Sequence, residues 1–168
     1  MRSKVVAASP GIRISEAIWP QDRETVEGLF REYVASPTAD IGFQDLEGEI
    51  ATLPGKYARP TGAVLIARSE DRGAQDAGII AYRMLEPAVC EMKRLYVRPA
   101  FRGRHVGWEL VEELIFDARQ CGYRTMLLDT LSSMQPAVEL YRRLGFRPVP
   151  AYYDNPLPGA TYMALDLE

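Results

Sequence analysis

Leu95-Tyr96-Val97-Arg98-Pro99-Ala100-Phe101-Arg102-Gly103-Arg104-His105-Val106-Gly107 decides the fold of this chain, because it reads as a strand passing through a basic, glycine-containing turn into a helix. Pro99 has no backbone N–H to give to a ladder, so the strand ends there. A long helix begins near Arg104. Leu110, Val111, Leu114, Ile115 and Ala118 form one of its faces, and Glu109, Glu112, Glu113 and Asp117 lie largely on another. The first turn of such a helix has four N–H groups without intrahelical partners, and the macrodipole adds about half a positive charge. The glycines allow a phosphate close to the backbone, and Arg102 and Arg104 attract it. A diphosphate therefore fits this turn; the alternative is a surface turn whose charges serve solubility.

Working outward, three extended segments precede the turn: Ala63 to Ala67, Ala77 to Leu85, and Val89 to Val97. The polar run Arg68 to Asp76 and the bend at Glu86-Pro87 connect them as an antiparallel meander. Earlier still, Ile12, Ile14 and Ala17 make a short strand ending at Trp19-Pro20. Val26, Leu29, Phe30, Tyr33 and Val34 then recur at helical spacing behind Asp22, placed to cap, and Ser36-Pro37-Thr38 ends that helix. Phe43, Leu46, Ile50 and Leu53 suggest a second, weaker helix, and Pro54 to Gly62 a loop. Downstream, Thr125 to Asp129 is a short strand. Pro136 opens a helix with Ala137, Leu140, Tyr141 and Leu144 inward, and Gly145-Phe146 resembles a left-handed cap. Phe146 to Tyr153 and Thr161 to Leu167 close the chain as strands. The mixture is an α+β or α/β fold, and no linker divides residues 1–168, so one domain is expected.

Composition narrows the function. With 47% hydrophobic residues the chain has enough apolar surface for one core, and its net charge of -3 disfavours nucleic acid as the main partner. Apolar runs are too short to cross a bilayer, so no membrane partner and a cytoplasmic location are expected. Cys90 and Cys121 form neither a disulfide framework nor a zinc pattern, and no metal is expected. His105 is the only histidine, which removes most Ser-His and Cys-His templates. The Walker ending Gly-Lys-Ser/Thr and the GxGxxG fingerprint are both absent, so ATP and NAD lose support.

Arg102 to Gly107 resembles the pyrophosphate loop of the GNAT N-acetyltransferases, Gln/Arg-x-x-Gly-x-Gly/Ala, with His105 where the first glycine stands. Ala137-Val138-Glu139-Leu140-Tyr141-Arg142-Arg143-Leu144-Gly145-Phe146 is similar to the family's downstream signature A-x-x-L-Y-x-x-x-G-F, with Met134 where an Asn is frequent. The resemblance implies a twisted mixed sheet of about seven strands, split at the cofactor and flanked by four helices. It also implies acetyl-CoA as cofactor, held by Leu95, Tyr96, Val97, Arg102, Gly103, Arg104, His105, Val106, Gly107 and Met134. The central strand is expected to splay after Leu95 and expose N–H groups near Val97. Histidine tolerates unusual backbone angles, so His105 is expected to weaken the motif without abolishing binding.

Acyl transfer to an amine needs a proton for the leaving thiolate and a base for the ammonium. Tyr141 is the expected general acid, since a phenol stays protonated at neutral pH; the alternative is a packing residue on an apolar helix face. Glu91 is the candidate base, placed by strand alternation on the face of Leu95 and Val97; the alternative is a strand Glu paired with Lys93 or Arg94. Asp129 and Glu139 are weaker candidates. Tyr152, Tyr153 and Tyr162 make either an aromatic wall for a substrate or edge packing. The expected partner is a small amine or amino-acid-like molecule, and homodimers are common in the resembling family. The rival reading is a noncatalytic acyl-CoA-binding module.

Overall fold

The computed structural model describes residues 6–7, 10–36, 45–71 and 73–168. Its strands are β1 (Val6–Ala7), β2 (Ile12–Glu16), β3 (Ala63–Ser69), β4 (Gln75–Glu86), β5 (Val89–Val97), β6 (Thr125–Leu131), β7 (Arg147–Val149) and β8 (Ala160–Asp166). The helices are α1 (Arg23–Ala35), α2 (Leu46–Ala51), α3 (Val106–Gln120) and α4 (Gln135–Arg143). The strands join one sheet in the order β1-β2-β3-β4-β5-β6-β8-β7, so the expected mixed sheet stands, with a two-residue β1 added at its edge.

Helices cover both faces, which explains the unbroken apolar runs in β3 and β4. On one side Leu65, Ile80, Tyr82, Met126 and Leu128 pack with Leu110, Val111 and Leu114 of α3. On the other, Val64, Ile66, Ile79 and Ala81 meet Val26, Leu29 and Phe30 of α1 and Ile50 of α2. Gly78 lets α3 come close: a Cβ there would lie 2.7 Å from the Tyr96 carbonyl oxygen and 3.2 Å from Leu110 Cδ1.

Two irregularities in β5 shape the molecule. β5 runs parallel to β6 only at Val89↔Thr125, Cys90↔Met126 and Glu91↔Leu127; beyond these, β5 stays with β4 and β6 stays with β8. The sheet therefore opens after Glu91, earlier than the expected position after Leu95. The second irregularity is a bulge at Arg94, whose φ is 62°. The register steps from Ala81↔Lys93 to Ile79↔Tyr96, spending one more residue on β5 than on β4. An extra residue reverses the alternation beyond it. Leu95 and Val97 accordingly pack on the α3 side, whereas Tyr96 joins the α1 side. Glu91 shares neither Leu95's nor Val97's face, which corrects the placement drawn from strict alternation.

Other boundaries move for local reasons. Asp22 precedes α1 without a side-chain cap bond, because its carboxylate accepts from the Ile18 amide (2.8 Å) and from Arg68 (2.7 Å). Asp45 does cap α2, accepting from the Gly48 amide at 2.9 Å; Phe43, Pro37 and Thr38 lie outside the described residues. The polar turn shortens, since β3 runs on to Ser69 and β4 starts at Gln75. The strand expected over Phe146 to Tyr153 contracts to Arg147–Val149, and Tyr152 and Tyr153 leave the ladder for side-chain contacts. Arg59, after α2, forks onto Glu16 (2.8 and 2.9 Å) and Asp117 (2.9 and 2.7 Å) and reaches Cys121 Sγ at 3.1 Å. Cys121 is exposed; Cys90 is buried, and burial pushes its thiol up to about 12.

Candidate active site

The turn between β5 and α3 takes its shape from two left-handed residues, Gly103 (φ 74°) and His105 (φ 62°). Position 103 is open to solvent, so backbone conformation, not crowding, calls for glycine there. His105 adopts the unusual angle that its place in the motif demands and stands as the N-cap of α3, with Val106 as the first helical residue. Arg102, Gly103, Arg104 and His105 are all exposed, while Val106 is buried. Arg102 Nε donates to the Val97 carbonyl at 3.0 Å, tying the turn to the end of β5. Arg104 lies over the Phe101 ring and reaches Asp71 at 3.5 Å. Gly107 faces Leu140 and Val97, so α3, α4 and the end of β5 meet at this point.

Of the remaining residues assigned to the cofactor, Leu95 and Val97 are half-buried on the α3 side. The Tyr96 ring turns the other way, 6.2 Å from Tyr33. Met134 precedes α4, and its sulfur accepts from the Thr130 hydroxyl at 3.9 Å.

Tyr141 is buried on α4 with its ring 5.8 Å from Phe146. Burial raises its hydroxyl above the ordinary phenol value, and Tyr33 and Asp129 push the same way. Tyr33 belongs to α1 on the opposite face of the sheet, so its influence on Tyr141 is electrostatic.

Glu91 is 1% exposed and joins a charged network. Arg83 Nε donates to Oε1 at 3.0 Å and the Tyr152 hydroxyl to Oε2 at 2.6 Å. Lys93 Nζ stands 3.7 Å from Glu91 Oε1 and 3.8 Å from Asp129 Oδ1, bridging the opened strands by charge where no ladder joins them. Asp129 also accepts from the Tyr153 hydroxyl and from Asn155 Nδ2 (2.9 Å). Arg94, the other partner that the sequence offers Glu91, instead forks onto Glu49 of α2 (3.1 and 2.8 Å). Glu139 is exposed on α4.

A cavity of about 450 Å³ opens between α2 and β5, lined by Lys56, Arg83, Glu91, Lys93 and Tyr153 among others. The three late tyrosines stack on one another, with ring centroids 5.3 to 5.7 Å apart; of these, only Tyr153 reaches the cavity wall. Lys56 and Arg83 escaped the sequence reading, and Lys93 entered it only as an alternative partner for Glu91, beside which it stands. Arg83 faces Glu91 across the β4–β5 hairpin, and counting back from Glu86-Pro87 is the signal that finds it. Lys56 comes from the loop after α2, and nothing local in the sequence marks it. Among the described residues no cluster suits a metal, and no helix is long and apolar enough to cross a membrane.

Known proteins resemble this chain in sequence or in fold. An uncharacterized N-acetyltransferase of Schizosaccharomyces pombe is 40% identical over 93% of this chain and 95% of its own length. An acetyltransferase of the GNAT family from Staphylococcus aureus superposes with a TM-score of 0.76 at 16% identity, over 94% of this chain and 99% of its own. A Salmonella typhimurium protein solved with its cofactor acetyl-CoA gives 0.72 at 19% identity, over 94% and 95%. Residues 26–146 match the acetyltransferase (GNAT) family, and with the split sheet, the left-handed turn before α3 and Tyr141 on α4 all present, the chain belongs to that family.

Proposed function

We propose that this protein transfers an acetyl group from acetyl-CoA to the primary amine of a small molecule by direct attack, with Tyr141 as general acid and Glu91 as general base. One observation carries the reading: the split between β5 and β6 is approached from one face by the diphosphate-compatible turn and from the other by the charged cavity. Two substrates entering from opposite faces meet there without displacing one another. The Salmonella typhimurium relative in fold, solved with acetyl-CoA, supports the choice of donor.

Coenzyme A fits the residues present. Gly103 and His105 turn the backbone into the head of α3, whose first-turn amides have no intrahelical partners and suit a diphosphate. Beyond Glu91 and Leu127 the facing edges of β5 and β6 have no ladder between them, and such edges accept the amides of an extended arm. Acetyl-CoA, when bound, supplies a carbonyl activated as a thioester. N–H groups of β5 near Val97 stabilise the negative charge that develops on its oxygen. The nitrogen–carbon bond forms as the carbon–sulfur bond breaks; Tyr141 gives its proton to the sulfur, and Glu91 takes the one released by the ammonium. Arg83 and Tyr152 each occupy one lone-pair position on Glu91, one per oxygen and of roughly four in all, leaving room for that proton directly or through water.

The test is release of coenzyme A from acetyl-CoA against a panel of amines. Tyr141→Phe is expected to lower kcat by about 10² or more while leaving acetyl-CoA affinity unchanged, and Glu91→Gln to lower kcat/KM by a similar factor. Binding of acetyl-CoA without turnover on any amine points instead to a noncatalytic module, and full turnover by Tyr141→Phe rejects its role.

A further inference from the structure

We propose that the acceptor is an amino acid, its carboxylate received by Arg83 and Lys93 in the cavity between α2 and β5 and its amine directed to Glu91. This deepens the acetyltransferase reading and rests on it.

The first ground is Lys93. Its side chain is only 10% exposed, yet its nearest carboxylate oxygens stand at 3.7 and 3.8 Å, beyond hydrogen-bond length. An ammonium carries three donors, and those that the two carboxylates leave unmet face the cavity that Lys93 lines, open to an oxygen supplied there. The second ground is Arg83. It spends only Nε on Glu91, and its two terminal nitrogens make no hydrogen bond to a described residue. The side chain is one-third exposed and lines the same cavity, presenting the flat edge of a guanidinium that matches a carboxylate.

Charge balance points the same way. Lys56 joins Arg83 and Lys93 on the wall; burial lowers its pKa, and although Glu49 opposes this, the two neighbouring cations lower it further. Glu49 is already committed to Arg94, Lys56 and Tyr57, and Asp45 to the head of α2. An incoming anion thus finds unspent donors, and an incoming ammonium finds Glu91. A molecule bearing both signs a few bonds apart answers both. The cavity, about 450 Å³, lies in the range of small-molecule sites.

The experiment compares free amino acids with the same compounds as carboxamides or decarboxylated amines, following coenzyme A release by chromatography at saturating acetyl-CoA. The expected result is a loss of kcat/KM of about 10- to 100-fold when the carboxylate is neutralised, carried mainly by KM. Arg83→Gln is expected to erase most of that discrimination while acetyl-CoA binding, measured by calorimetry, stays unchanged. Should decarboxylated amines react as well as amino acids with the unaltered enzyme, the inference falls and amine acetylation stands. Should acetyl-CoA bind and no amine react, with or without a carboxylate, the acetyltransferase reading falls as well. The comparison on the unaltered enzyme decides the matter even where the Arg83 variant folds poorly.

Discussion

At the scale of single residues, His105 separates what a side chain does from what its backbone does. It holds a left-handed conformation that disfavours any side chain by about 1–2 kcal/mol, and its imidazole is exposed. If the amides of the turn do the binding, His105→Gly keeps acetyl-CoA affinity within about threefold. It also stabilises the fold by up to about 1 kcal/mol, the relief of strain being partly offset by glycine's greater freedom when unfolded. Calorimetry and chemical denaturation measure the two effects separately. Tyr141 differs, since its hydroxyl is the argued proton source and burial keeps it protonated through the neutral range.

At the scale of elements, the strands and α3 were legible in the sequence because their signals are local. Val89–Val97 was expected as a strand and is one, and Leu110, Val111, Leu114, Ile115 and Ala118 are all buried as the helical period requires. The bulge was not legible. Bulged, left-handed positions favour glycine, and an arginine occupies this one, so no residue type announced the slip that moved Glu91 to the other face. What fixes the bulge lies 45 positions away in sequence: Arg94 is buried against Glu49, which joins α2 to β5. Burial alone raises the Glu49 pKa, but the Arg94 hydrogen bonds and charge, with Lys56 and Tyr57, outweigh it and hold the carboxyl at about 2. A group depressed on folding stabilises the protein above its unfolded value, near 4.5, and loses that contribution as pH falls toward 2. The free energy of unfolding, measured by chemical denaturation, is therefore expected to drop across that window by on the order of 3 kcal/mol, and Glu49→Gln to remove a similar amount at neutral pH while flattening the acid limb.

At the scale of the whole molecule, the two halves of the sheet share only three ladder pairs, so its middle holds two unpaired edges where most sheets have none. The family-like motifs made the cofactor side readable. The charged cavity was not, because Lys56, Arg83 and Lys93 come from a loop and two strands, and only the fold brings them to one wall. The chain's two thiols offer a way to watch that fold. Cys90 is buried with its thiol pushed up to about 12, and Cys121 is exposed beyond the far end of α3 from the turn, a helix of 15 residues. That length is about 22 Å. One equivalent of a maleimide is expected to react with the folded protein and two with the unfolded one, as mass spectrometry would count. A fluorophore can therefore be attached to the native chain at a single point without engineering, far enough from the diphosphate turn to report on ligand entry without obstructing it.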